Sequence, residues 1–246
     1  MIIVYGTRMY GKVKACGASF LATQFFHIWY LPLFPVGSKL VLEEAQDGTF
    51  HGVSAPFSFK SVMAAYLRVW GPIGILIAIL CGLDVLGAAD NGLALLLVIG
   101  FTGIVILALL VSTILAYAVI GKLSEDEKRK RAAYAMHSGY FVDPADMGEA
   151  KAGMREMLLG RIAERARGLA SMGYRLNADP MYAWPHVALD PTHNDDALVT
   201  AAFTLARLEA TVDGPQKIHM EQLHAQLWNR IQQMNPPYLQ AHARLT

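Results

Sequence analysis

Charge is scarce in this sequence. Asp, Glu, Lys and Arg supply 17% of the 246 residues, where soluble domains carry about 25%, and the net charge is only +1. No global field draws the chain to nucleic acid, and no nucleic-acid partner is expected. Cysteine is scarcer still. Cys16 and Cys81 fall in regions of different character, one polar and one apolar, which argues against a disulfide framework and leaves two free thiols. Catalytic signatures are missing too: there is no GxSxG, no Walker loop and no GxGxxG. Among His186, His193, His219, His224 and His242 no i, i+4 pair has a third ligand nearby, so no metal and no cofactor is expected. The opening MIIVYGTRMYGKVK sets basic residues and glycines after a short apolar start, the wrong order for a secretory signal, so no cleavage is expected.

What the chain has instead is apolar length. VWGPIGILIAILCGLDVLGAA runs from Val69 to Ala89 with one charge, and GLALLLVIGFTGIVILALLVSTILAYAVI runs from Gly92 to Ile120 with none. A spanning helix needs about 20 such residues. As a helix the second run would measure about 43 Å, more than the hydrocarbon layer, so its last turns should project into the cytoplasm. Lys60 and Arg68 precede the pair, Lys122, Lys128, Arg129, Lys130 and Arg131 follow it, and the hinge around Asp90 and Asn91 carries no basic residue. Basic flanks resist translocation, so both termini are expected in the cytoplasm, as in a bacterial inner membrane. Small residues that would let the helices approach are Ala78 with Gly82, Gly100 with Gly103, and Ser112 with Ala116. Asp84 is the one intramembrane charge. It is read as hydrated near the far interface; an ion or proton site is the other reading, and it lacks a basic partner.

Ahead of the spans, short β-favouring runs (IIVY, MYGKVKA, FLATQFFHIWYL, SKLVLEE, TFHGVSA) alternate with turn residues, and AQDG is a hairpin turn with Asp47-Gly48 at its bend. They imply four or five strands in a small sheet or barrel over residues 1–57. The stretch FFHIWYLPLFPVGS is too short for a third span and carries Pro32 and Pro35, read as part of a Pro-Leu-Phe-Pro turn. Three readings stay open for it: strand core, an interfacial ledge beside the first span, and a ligand-recognition surface. Phe25, Phe26, Trp29, Tyr30 and Phe34, with Trp70 at the start of the span, are the membrane-interface candidates, because these ring types favour headgroup depth. His27 is read as a satisfied strand histidine.

YGTRMYGKV, FFHIWYLPLFPVGSKLVLEE and PFSFKSVMAAYLRVW together resemble the opening of a group of uncharacterised bacterial two-span membrane proteins with a YGTR start and an FFH…LPLFP element. The likeness covers about the first 70 residues and implies no activity. The Phe-Phe…Pro…Pro-x-Gly spacing is also similar to the end of small bacterial zinc ribbons. This chain has Cys16 but no CxxC, so zinc is not implied.

After the spans, residues 122–246 read as a cytoplasmic helical bundle. Ser124 to Glu127 form a capping box, and Lys128, Arg129, Lys130 and Arg131 make a basic juxtamembrane run suited either to anionic lipid or to orientation alone. Asp143-Pro144 opens a helix to about Met172 with Met147, Ala150, Met154, Met157, Leu158, Ile162 and Leu169 at core spacing, and Arg155, Arg161, Arg165 and Arg167 on a solvated or lipid-facing side. Tyr174 to Asn194 reads as an irregular loop. Helices from about Asp195 to Val212 and from about Pro215 to Met234 follow. Tyr182, Trp184 and Trp228 are the partner-binding candidates.

The expected whole is an α+β membrane protein: a β-rich module, a lead-in and two-helix transmembrane hairpin over 58–121, and a helical domain. The expected role is a non-catalytic adaptor or accessory subunit whose partners are membrane lipid and either other proteins or its own copies. An oligomeric channel is the alternative, with Asp84, Thr102, Ser112, Thr113 and Tyr117 as its polar groups. An enzyme assembled from His27, His51, Asp179 and His186 would need a convergent acid and base that the sequence does not display. For the topology, alkaline phosphatase fused at either end should stay inactive while a fluorescent protein at either end lights up. An active phosphatase at one terminus overturns the arrangement.

Overall fold

The computed structural model describes residues 4–44, 50–87, 92–174 and 180–242; the expected AQDG turn and the hinge at Asp90 lie outside them. Four strands come first: β1 (Tyr5–Cys16), β2 (Ser19–Ile28), β3 (Leu31–Glu44) and β4 (Phe50–Ala55). They pair in chain order as one open antiparallel sheet. The barrel alternative is thereby corrected, since β1 and β4 are the two edges, and so is the fifth strand, since Tyr5 already begins the strand that carries MYGKVKA.

Pro32 and Pro35 do not make a turn; both lie inside β3. Proline lacks the amide that a central strand needs, but β4 has only 6 residues against 14 in β3 and its Gly52 lies against Leu40. The proline half of β3 therefore extends past β4, where an amide is dispensable. The bend comes earlier, at Trp29 and Tyr30, whose φ values of 52° and 63° make a two-residue hairpin of the I′ kind.

The helices are α1 (Phe59–Gly87), α2 (Gly92–Ala118), α3 (Glu125–Ser138), α4 (Lys151–Ser171), α5 (Pro180–Leu189), α6 (Asp196–Glu209), α7 (Lys217–Met234) and α8 (Pro237–His242). Both α1 and α2 are long and apolar enough to cross a membrane, over Phe59–Leu86 and Leu95–Ala118. The chain divides into two compact units.

The first unit comprises Met1–Ala15, Phe20–Lys39 and Phe57–Lys122. Here α1 starts ten residues before the apolar run, because its first turns lie on the sheet: Val62 and Ala65 pack on the fully buried Phe25, flanked by Tyr10 and Tyr66. A buried chain of hydroxyls fixes the register. Thr23 Oγ1 donates to Ser61 Oγ at 2.9 Å, Ser61 Oγ donates to the Gly11 carbonyl at 2.8 Å, and Ser38 Oγ stands 3.2 Å from Thr23. Gly11 has φ +66°, and a Cβ there would lie 1.9 Å from the Ser61 carbonyl oxygen.

Then α1 and α2 pair antiparallel. A Cβ on Gly71 would meet Thr113, one on Gly74 would meet Leu109 and one on Gly82 would meet Thr102, so small residues of α1 receive larger ones of α2. Gly100 and Gly103 have nothing within 4 Å of a built Cβ; their expected role in this contact is corrected. Arg68 closes the open end of the pair. Its Nε and Nη2 donate to the Ala116 carbonyl at 3.0 and 2.8 Å, Nη2 also reaches Ile120 O at 3.1 Å, and Nη1 reaches Lys12 O at 2.8 Å.

The second unit comprises Cys16–Ser19, Leu40–Pro56 and Leu123–Thr246. Its core is α6, almost wholly buried from Leu198 to Leu208 and contacted by α3, α4, α5 and α7. Ser124 caps α3 through the Glu127 amide, and Asp195 caps α6 through the Leu198 amide. Asp143 caps only a 3-10 turn, Pro144–Asp146, and α4 begins at Lys151, later than expected. Gly148, with φ +52°, lets the backbone approach Ser54 so closely that a Cβ would sit 1.9 Å from its carbonyl oxygen. The irregular loop expected from Tyr174 is corrected by α5, which carries Pro185 within it.

Gly11→Ala should destabilise the chain by about 2–5 kcal/mol, combining a left-handed backbone with overpacking, whereas Gly100→Ala should leave it unchanged. Thermal unfolding in detergent checks both, and equal midpoints would sink the Gly11 contact.

Candidate functional site

In the first unit the aromatic stretch forms the end of the β2–β3 hairpin. Non-glycine residues with positive φ are uncommon, and bulky ones are outliers that cost about 1–2 kcal/mol each; this turn holds two in succession. Local bonds fix it. The Trp29 amide donates to Val4 O at 2.8 Å and Tyr10 Oη donates to Tyr30 O at 2.8 Å. The Tyr30 ring stacks on His27 at 5.6 Å, and the Arg8 guanidinium carbon lies over the same ring, 5.5 Å from its centre. His27 is buried, and its Nδ1 has no hydrogen-bond partner among the described residues, against the expectation of a satisfied histidine.

Two bonds hold the hairpin against α1. Tyr66 Oη donates to Leu33 O at 2.6 Å, and Trp70 Nε1 donates to Pro32 O at 2.9 Å. Of the interface candidates, Phe25 is fully buried core, because strand alternation turns it onto α1, while Phe26 and Trp70 are half-buried. Trp29, Tyr30 and Phe34 are 50%, 55% and 68% exposed.

In the second unit the basic run is largely used within the fold. Lys128 pairs with Glu125 and Lys130 with Asp126, each at 2.7 Å, because acidic and basic residues stand three and four apart on α3. Arg131 is 1% exposed and engages Glu127, Asp146 and the Phe141 carbonyl, so it offers nothing to lipid. Arg129 is exposed. Trp228 is buried, stacked on Phe203 at 5.4 Å, and donates to Asp126 Oδ1 at 3.1 Å. Trp184 is buried as well. Both therefore belong to the core of this unit, where their apolar area is most stable. The Tyr182 side chain lies outside the described residues.

The groups of the enzyme reading fall as follows. His27 belongs to the first unit, His51 and His186 are exposed in the second, and Asp179 lies outside the described residues. Asp84 is exposed near the far end of α1. Among the described residues no three His, Cys, Asp or Glu are grouped to hold a metal.

Sequence reasoning did not find two histidine networks in the second unit, since their members come from separate helices. Arg161 Nη1 donates to His137 Nδ1 at 3.0 Å, and Nε2 stands 3.0 Å from Thr200 Oγ1, which itself donates to Asp196 O at 2.7 Å. His137 Nε2 therefore carries the proton. Burial, then the Arg161 charge, lowers His137 to about 4. Tyr134 Oη lies 2.8 Å from His224 Nε2, and burial followed by Arg207 and Lys130 lowers His224 to about 4. Nearby, Asp143 receives both Arg207 Nε and Nη2, at 3.0 and 2.7 Å. Burial alone would raise its carboxyl, but these bonds outweigh it and hold the carboxyl below its usual value.

Two clefts open on this unit. One, of about 510 Å³, is lined by Met136, His137, Arg161, Glu164, Arg165 and Met172 among others. The other, of about 630 Å³, includes Asn194, Asp196, Asn229, Arg230 and Gln233. Mixed charge, amides and exposed methionine suit contact with polypeptide. Set beside known proteins, the chain matches no family model, no curated protein and no solved structure.

Both histidines have folded values near 4 against about 6.5 unfolded. Their contribution is complete above pH 6.5 and is lost as pH falls toward 4. The unfolding midpoint should drop across that window, and His137→Gln with His224→Gln should flatten the drop. An unchanged slope in the double variant overturns the assignment.

Proposed function

We propose that this protein is a membrane-anchored adaptor or accessory subunit of a larger assembly in a bacterial inner membrane, with both termini in the cytoplasm and other proteins as its partners. The observation that carries the reading is the outer surface of the helical pair. The most apolar window of Leu95–Ala118 has no buried residue, and Leu76, Leu80, Leu83, Leu96, Phe101 and Ile104 are all exposed. Apolar helices covered on one side only need lipid around the rest. The clefts of the second unit supply the polypeptide-binding side of the reading.

The channel reading gains nothing from the same helices. Thr102 and Thr113 face glycines of α1 within the pair, the Ser112 and Thr113 hydroxyls donate to Leu109 O, and Tyr117 donates to Arg68 O. Of the five polar groups expected for a pore, that leaves Asp84.

In native mass spectrometry from mild detergent, the full chain should appear at fixed stoichiometry with a partner or with copies of itself. Arg165→Glu with Met172→Asp should release that partner without shifting the unfolding midpoint. A strictly monomeric, partnerless particle overturns the adaptor role.

A further inference from the structure

We infer that the Trp29–Tyr30 turn is a lipid-dipping element, seated at the headgroup level of a phospholipid bilayer beside α1; this rests on the membrane anchoring proposed above. The first support is register. β2 and α1 run side by side in one direction: Thr23 meets Ser61, and Phe25 meets Val62, Ala65 and Tyr66. From Thr23 to Trp29 the strand advances about 20 Å, while from Ser61 to Trp70 the helix advances about 13 Å. The turn thus reaches the level of Trp70 or about one turn beyond it, and the Trp70–Pro32 bond ties it there.

That level is where α1 changes character. Arg68 is the last charge before Asp84, and about two turns beyond it a sustained exposed apolar surface opens with Leu76 and Ile77 and runs on through Ile79, Leu80 and Leu83. The hairpin end continues this surface with Trp29, Tyr30 and Phe34, all half or more exposed. Tryptophan and tyrosine are the side chains that favour the boundary between headgroup and acyl chain.

The second support is conformation. A two-residue turn of this kind favours asparagine and glycine, yet it carries two large aromatics with left-handed backbone. Exposed to water alone, the uncovered half of each ring would gain little from that arrangement; against lipid that area is covered. The third is charge: the guanidinium of the exposed Arg8 lies over the Tyr30 ring, placed to meet an anionic phosphate at the same level.

The test uses the full chain in vesicles of phosphatidylcholine and phosphatidylglycerol. Spin labels are attached at Trp29→Cys or Phe34→Cys in a Cys81→Ala background, Cys16 being buried. Lys39→Cys, about 30 Å along β3 from the turn, serves as the aqueous control. At positions 29 and 34 collisions with lipid-soluble oxygen should exceed those with a water-soluble nickel chelate, and at 39 the order should reverse. In parallel, brominated lipids should quench the unlabelled protein's tryptophan emission more strongly than that of Trp29→Phe. Nickel-dominated collisions at both sites, or equal quenching, in a chain that resists carbonate extraction overturn the inference and leave the anchoring intact. A chain that carbonate extracts overturns both.

Discussion

Arg68 is the residue through which the first unit holds together, and the reason is the shortage of donors where α2 ends. That helix has no basic residue in its last turn, so its end lacks a compensating positive charge, and because the Ile120 amide turns to Leu115 the Ala116 carbonyl is left for another donor. Arg68 delivers both from α1, to Ala116 and Ile120, and extends its remaining nitrogen to the β1 backbone at Lys12. Pro72 adds a related demand. It has no amide to give the carbonyl of residue 68, and Tyr117 donates to that carbonyl at 3.4 Å while its ring lies 5.4 Å from the Arg68 guanidinium. One side chain thus joins the sheet, the first apolar helix and the end of the second. From that anchor the paired positions advance in step, through Gly71 with Thr113 and Gly74 with Leu109 to Gly82 with Thr102.

The same constraint, that a buried polar group must find a partner, orders the rest of the sheet contact and much of the helical unit. Thr23, Ser38 and Ser61 satisfy one another and the Gly11 carbonyl beneath the sheet. In the second unit, Arg131 and the Asp143–Arg207 pair place charges in the interior that must stay matched, because an isolated buried charge costs several kcal/mol. Much of the basic run after α2 therefore serves the fold. A run of like charges read as a surface feature is, here, partly interior structure.

The fold class was legible wherever the signal is local. Apolar length located α1 and α2, the serine at 124 and the aspartate at 195 located the starts of α3 and α6, and the stripe of Met154, Leu158, Ile162 and Leu169 located the buried side of α4. What misled was punctuation. Pro32 and Pro35 read as a turn because a central strand excludes proline, and only the shortness of β4 makes that half of β3 tolerant. Pro180 and Pro185 read as a loop, although one stands at the first position of α5, where no amide is needed, and the other is accommodated inside it.

By itself, then, the sequence determined which segments are apolar, how long they are and where the capped helices α3 and α6 start, because these depend on side-chain hydrophobicity and on contacts a few residues apart. The tertiary structure decided which aromatics are core and which are surface. Phe25, Trp184 and Trp228 were buried while Trp29, Tyr30 and Phe34 stayed out, and composition treats all six alike. Burial of a ring depends on what packs over it, and the covering elements come from parts of the chain tens of residues away.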